Sequence, residues 1–137
     1  MPLSIYRRLL AVAVLLVGIS TALAYSKPGS QPSDYTFELV DREIKQGAGT
    51  TIVVRLVDER TGKVVPDATL FISRIDMSPD GMGAMAAPLE PLPDSLPGYF
   101  RFETNLTMRG GWALTLAAKV PGVSGAIQSR LVLQAVP

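Results

Sequence analysis

Four methionines beyond the initiator are the residues of this sequence whose chemistry stands out. Met77, Met82 and Met85 lie within the stretch MSPDGMGAM, and Met108 follows in a second glycine-containing segment. A thioether sulfur is a soft, neutral ligand that selects Cu(I), and by the same softness Ag(I), over hard ions. The spacing therefore predicts a site for a soft monovalent ion formed by Met77, Met82 and Met85, with Met108 as a candidate fourth ligand.

The same methionines fit two other interpretations. Methionine fills irregular gaps in protein cores, and it also covers adaptable binding surfaces. The cluster therefore leaves two alternatives to a metal site, namely docking of a partner protein and simple packing. Sulfurs that converge favour a metal site, scattered exposed sulfurs favour docking, and sulfurs that point into the fold favour packing.

The absence of two residue types limits the chemistry further. The chain contains no cysteine and no histidine, so the two commonest ligands of transition metals are missing. A histidine base and a cysteine nucleophile are missing for the same reason, and no spacing singles out a serine–lysine or paired-carboxylate arrangement. We expect no enzymatic activity and no small-molecule substrate.

The N-terminus has the three parts of a secretory signal peptide. Arg7 and Arg8 precede an apolar stretch over residues 9–24, which ends in the small-x-small site Ala22-Leu23-Ala24. The stretch is shorter than the roughly 20 residues of a spanning helix. We predict a signal peptide over residues 1–24, with an uncleaved membrane anchor as the alternative. Either alternative places the rest of the chain outside the cytoplasm, in the periplasm or another extracytoplasmic compartment.

The mature chain is nearly neutral. Loss of Arg7 and Arg8 leaves 11 basic residues against 12 acidic ones, with the two signs interspersed. Nucleic-acid arms and basic membrane-binding faces need clustered lysine and arginine. We therefore expect no nucleic-acid partner.

The elements that must position the methionines are β-strands. Residues 25–34 (YSKPGSQPSD) form a tether of the Pro/Ser/Gly type, and residues 35–137 form one domain. Alternating or β-branched runs occur at TFELV (36–40), TIVVRLV (51–57), ATLFISRI (68–75), GYFRFET (98–104), WALTLAAK (112–119) and residues 127–136. This pattern predicts an all-β, immunoglobulin-like sandwich of about seven antiparallel strands, without the disulfide of true immunoglobulin domains. Trp112 is expected in its core.

One connection is unusually long. Residues 76–97 contain five prolines and begin with the methionines, and a loop of this length is usually functional or disordered. We expect residues 86–92 to form a proline-spaced edge strand. Met108 can lie at the same end of the sandwich as Met77 only if this segment crosses between the sheets.

Several short motifs resemble those of the YtkA-like/FixH-like family of small extracytoplasmic domains. They are the turn Thr61-Gly62-Lys63-x-Val65-x-Asp67-Ala68, the methionine-bearing segment, Pro97-Gly98-Tyr99 and Met108-x-Gly110-x-Trp112. The resemblance implies an immunoglobulin-like sandwich outside the cytoplasmic membrane, associated with haem-copper oxidase assembly or heavy-metal efflux. Many relatives carry a histidine in or after the methionine segment, and its absence here argues against a Cu(II) role.

Together these observations predict a periplasmic Cu(I)- or Ag(I)-binding accessory protein or chaperone. Its partner would be a membrane protein of a metal-efflux or oxidase-assembly system. The alternative is an interaction module that docks onto such a membrane complex through the methionine segment without any metal.

Overall fold

The computed structural model describes residues 30–93 and 96–137. The predicted signal peptide and the first half of the predicted tether, residues 25–29, lie outside these residues. Within the described ranges, no helix is long and apolar enough to cross a membrane. The regular structure there consists of ten strands and two short 3-10 turns, Pro32–Asp34 and Ser78–Asp80.

The strands form two sheets. In spatial order, one sheet contains β1 (Tyr35–Leu39), β3 (Gly47–Asp58), β8 (Tyr99–Leu106) and β7 (Leu89–Pro91), with β4 (Lys63–Val64) paired to the end of β3. The other contains β2 (Glu43–Lys45), β10 (Ile127–Val136), β9 (Gly110–Lys119), β5 (Thr69–Met77) and β6 (Met82–Ala87). All neighbouring pairs are antiparallel except β2 and β10. The predicted all-β, immunoglobulin-like sandwich is confirmed.

The core lies between the facing sides of the two sheets. Alternate residues of β3 (Ile52, Val54 and Leu56) are fully buried, because successive side chains of a strand point to opposite faces. Alternate residues of β9 are buried as well, namely Trp112, Leu114, Leu116 and Ala118. Trp112 therefore lies in the core, as expected.

The structure has more strands than the seven expected. Each of the six predicted runs coincides with a strand, namely β1, β3, β5, β8, β9 and β10. The strands β2, β4 and β6 were not predicted. β2 and β4 have three and two residues, too few to show a periodic pattern. β6 reads MGAMAA, which lacks the β-branched and aromatic residues typical of strands.

The connection over residues 76–97 is more ordered than a loop. Asp76 and Met77 complete β5, the chain returns as β6, and β7 then joins the opposite sheet beside β8. Residues 86–92 therefore span the end of β6 and the whole of β7 and cross from one sheet to the other, which is the condition for Met108 to share an end with Met77. Pro91 is tolerated because β7 is an edge strand.

The crossing brings two segments to one end of the sandwich. Leu106, at the end of β8, pairs with Gly47, and the loop that follows it leads to the start of β9, close to the end of β5. We call this end, formed by residues 77–85 and 106–110, the methionine pole. Tyr35 pairs with Asp58 at the other end of β3, so the chain enters the domain about 35 Å from the methionine pole at roughly 3.3 Å per residue.

Candidate functional site

The four methionines share one pole but differ in burial. Met77 is fully buried, at 0% exposure, in the hydrophobic core. Met82 is half-buried and packs against that core. Met85 and Met108 are each 39% exposed. The sulfurs therefore fall into one core residue, one intermediate residue and two surface residues.

Met77 is held in the core by its place in β5. It is the last residue of this strand, and its inward position follows those of Leu70 and Ile75. Its terminal Cε lies 3.2 Å from the point where a Cβ on Gly110 would stand. Met77 thus packs beneath the start of β9, as the packing interpretation requires for this residue.

Met82 and Met85 lie in a strand that leaves its partner. Met82 pairs with Met77, but the next pair along is Asp76 with Ala86. Residues 83–85 therefore have no opposite residue on β5 and bulge from the edge of the sheet. Arg74 stabilises this bulge by donating from its guanidinium to the carbonyl of Gly83 at 3.3 Å. The bulge exposes Met85.

Met108 lies in the loop between β8 and β9. The indole N–H of Trp112, a buried core residue as predicted, donates to the backbone carbonyl of Met108 at 2.9 Å. A shallow cavity of about 510 Å³ is lined by Met108 together with Gln46, Thr107, Arg109 and Pro137. The other three methionines do not line this cavity.

Asp80 joins the two segments of the methionine pole. Its Oδ2 accepts a hydrogen bond of 3.0 Å from the backbone N–H of Gly111. The carboxylate occupies the place of a Cβ on Gly110, whose φ of +131° also favours glycine. A side chain at position 110 of the Met108-x-Gly110-x-Trp112 motif would therefore clash with Asp80, which explains the glycine there.

The carboxylate of Asp76 also accepts hydrogen bonds, from residues close to it in the sequence. Its Oδ1 accepts from the Ser78 backbone N–H at 2.9 Å, and its Oδ2 accepts from Arg74 Nε at 3.0 Å. The hydrogen bonds from the Ser78 side chain and backbone, followed by those of Arg74, lower the pKa of Asp76 below its ordinary value. Arg130 donates to Ser78 Oγ at 2.9 Å and completes the cluster.

Through these contacts Asp76 and Asp80 shape the turn after β5. No group of three or more histidine, cysteine, aspartate or glutamate side chains suited to a metal lies among residues 30–93 and 96–137. Thioether sulfurs are therefore the soft donors that this pole offers. Met82, Met85 and Met108 are accessible to an ion from solvent, and Met77 is not.

Sequence reasoning missed one further feature, on the side of the sandwich. Phe71 and Ile72 are consecutive apolar residues in β5, and both are exposed. The signal was available, because two adjacent large apolar residues break the alternation of a half-buried strand.

Comparisons with known proteins give one family and one fold neighbour. The family model described as YtkA-like matches residues 29–117. No curated protein matches the chain. Among solved structures, the Lin-41 filamin domain matches with 18% identity and a TM-score of 0.44, covering 79% of this chain and 97% of that one. Since the family match spans more than half of the chain, the protein belongs to the YtkA-like family.

Proposed function

We propose that this domain works outside the cytoplasm as an accessory protein that binds Cu(I) or Ag(I) at the methionine pole. It passes the ion to a membrane protein of a metal-efflux or cuproenzyme-assembly system. Membership of the YtkA-like family supports the extracytoplasmic placement. The observation that carries the metal assignment is the meeting of the β5–β6 segment and the Met108 loop at one end of the fold.

Met82, Met85 and Met108 are the proposed ligands. Each is at least partly accessible, and a thioether has no proton to lose before it binds an ion. Binding would therefore persist in acidic surroundings that protonate histidine. Met77 is not a proposed ligand, because its side chain is buried and packs against the start of β9.

The arrangement suits transfer of the ion more than storage. Neutral sulfurs hold a monovalent cation without charge pairing, and the two exposed ligands lie on a bulge and a loop. Such segments move more readily than the sheets that carry them. An acceptor with its own soft ligands can then replace the sulfurs one at a time.

A competition titration with Cu(I) against a chromogenic chelator tests the proposal. We expect one ion per chain in the wild type and in Met77→Leu, and loss of binding in the triple variant Met82→Leu/Met85→Leu/Met108→Leu. Leucine preserves apolar volume, so circular dichroism should show that both variants remain folded. Wild-type binding no stronger than the chelator background would retire the metal role.

A docking module without metal is the second candidate, favoured by the exposure of the apolar side chains of Met85 and Met108. The leucine variants separate the two functions. Leucine retains the apolar area that a partner would cover but removes the sulfur. Binding of a membrane partner that survives Met85→Leu/Met108→Leu and fails in Met85→Glu/Met108→Glu would support docking.

A further inference from the structure

The strand β5 has an open edge over residues 69–74. On one side these residues pair with β9. On the other side β6 pairs only with Ile75, Asp76 and Met77. Among the described residues, no backbone hydrogen bond reaches residues 69–74 from that second side. Outside the register shift between Leu70 and Ile72, alternate residues there direct an unpaired N–H and C=O outward, as an edge strand does.

An apolar groove runs beside this edge. It has a volume of about 480 Å³ and lies between β5 and β8. Its walls include Leu70, Phe71 and Ile72 from one sheet and Tyr99, Phe100 and Phe102 from the other. The groove is the place where the side of the sandwich remains open.

The exposure of its lining shows how open the groove is. Phe71 is 51% exposed, and Leu96 at the rim is 70% exposed. Ser73 pairs with Leu116, a core position, yet Ser73 is itself exposed. A polar residue on the core side of β5 therefore faces solvent where a further strand would otherwise lie.

Two basic residues lie at the groove or beside its Phe71 edge. Arg101 is the charged residue among the described lining. Lys119, the β9 partner of Thr69, places its Nζ 6.0 Å from the centroid of the Phe71 ring. An occupant with a negative charge is therefore favoured at this edge.

We propose that the open edge of β5 and this groove bind an extended acidic–apolar segment of a partner protein. The segment adds as a strand beside residues 69–74 and pairs with their free backbone groups. Its apolar side chains fill the groove on one face, and its carboxylates lie on the other face towards Lys119 beside Phe71. This site is separate from the methionine pole and goes beyond the metal-binding proposal.

A second copy of this chain is a poorer occupant. In an antiparallel pairing centred between Phe71 and Ile72, Arg74 of one copy faces Thr69 of the other. The Arg74 side chain then lies about 10 Å from the other copy's Lys119, two strand spacings away. Both side chains are positively charged, so this pairing brings like charges together.

The test uses a labelled synthetic peptide of about nine residues in which valine alternates with glutamate, a usual strand length. We expect fluorescence anisotropy to show saturable binding to the metal-free protein. Amides of residues 69–74 should gain protection from hydrogen exchange. The same peptide with an N-methyl group on every residue should not bind, because neither of its edges can donate to β5. Equal binding of the N-methylated peptide would overturn strand addition.

Charge reversal provides the matched comparison. Lys119→Glu should weaken binding of the acidic peptide by about tenfold or more and admit a peptide in which lysine replaces glutamate. Arg109→Glu makes the same charge change at the methionine pole and should leave both affinities unchanged. Equal losses of affinity in the two variants would mean that binding responds only to the net charge of the protein, and would overturn the site.

A protein dimer that blocks the peptide and pairs through residues 69–74 would show that a second copy is the occupant instead. None of these measurements involves metal, so their outcome is independent of the titration at the methionine pole.

Discussion

The indole N–H of Trp112 donates a 2.9 Å hydrogen bond to the backbone carbonyl of Met108. A side chain deep in the core thereby fixes the position of a loop residue whose own side chain is exposed. Met108 is thus presented on a supported backbone, and the loop can be loosened without altering either sulfur or charge.

The variant Trp112→Phe should loosen this loop. It removes the indole donor and leaves a smaller aromatic ring in the core, at a cost of about 1–3 kcal/mol in the free energy of unfolding. Urea denaturation measures the loss, and hydrogen exchange should show faster exchange at residues 107–110. Unchanged exchange in that loop would mean that the hydrogen bond does not hold it.

Met77 and Met85 should respond very differently to truncation. Met77→Ala removes a fully buried side chain and should cost about 2–5 kcal/mol, whereas Met77→Leu conserves volume and should cost less than about 1.5 kcal/mol. Met85→Ala removes an exposed side chain and should change the free energy of unfolding by no more than about 0.5 kcal/mol. Urea denaturation of the three variants checks the order. Equal costs at the two positions would contradict the burial difference at the methionine pole.

The carboxylate of Asp76 should make stability depend on pH. Its folded-state pKa lies below the ordinary 3.8, first because of the Ser78 hydrogen bonds and then because of Arg74. The carboxylate therefore contributes stability above the ordinary pKa, and this contribution is lost as the pH falls through the folded-state pKa.

Asp76→Asn tests this linkage. The variant should be less stable than the wild type near pH 7, by about 1 kcal/mol for the lost charged hydrogen bonds, and the difference should shrink near pH 2. Asp41→Asn, at an exposed position before β2, serves as the control with little change at either pH. A difference for Asp76→Asn that stays constant with pH would argue against the ionised form as the source.

Thr104 offers a stabilising substitution. The residue is 2% exposed, and its hydroxyl has no hydrogen-bond partner among the described residues. Valine has the same shape without the hydroxyl, so Thr104→Val should raise the free energy of unfolding by about 1 kcal/mol. Thermal denaturation measures the gain. A destabilised variant would indicate that the hydroxyl has a partner, for instance a bound water.

The long strands could be predicted because their pattern is repeated. Ile52, Val54 and Leu56 alternate with outward residues over enough length to identify both the strand and its buried face. The short strand β2 depends on a neighbour far away in the sequence, since it forms beside β10, and the two-residue β4 forms only where the chain turns back onto the end of β3. Their formation is a property of the sheet and not of their own residues.

The methionine pole was only partly predictable. Clustering brought attention to Met77, Met82 and Met85, and the crossing of β7 placed Met108 at the same end, as expected. Burial could not be read from the spacing, because Met77 completes a strand that the glycines and proline after it obscure. The link from Asp80 to Gly111 depends on a side chain 31 positions away, and no local pattern announces such a contact.

The last residue of the chain, Pro137, lines the same cavity as Met108. A polyhistidine tag fused there would place many imidazoles beside a sulfur in a protein that has no histidine of its own. Such a tag would bind copper by itself, and this binding could not be distinguished from copper binding by the methionines. A tag at the other end of the domain, about 35 Å away along β3, would leave the methionine pole clear.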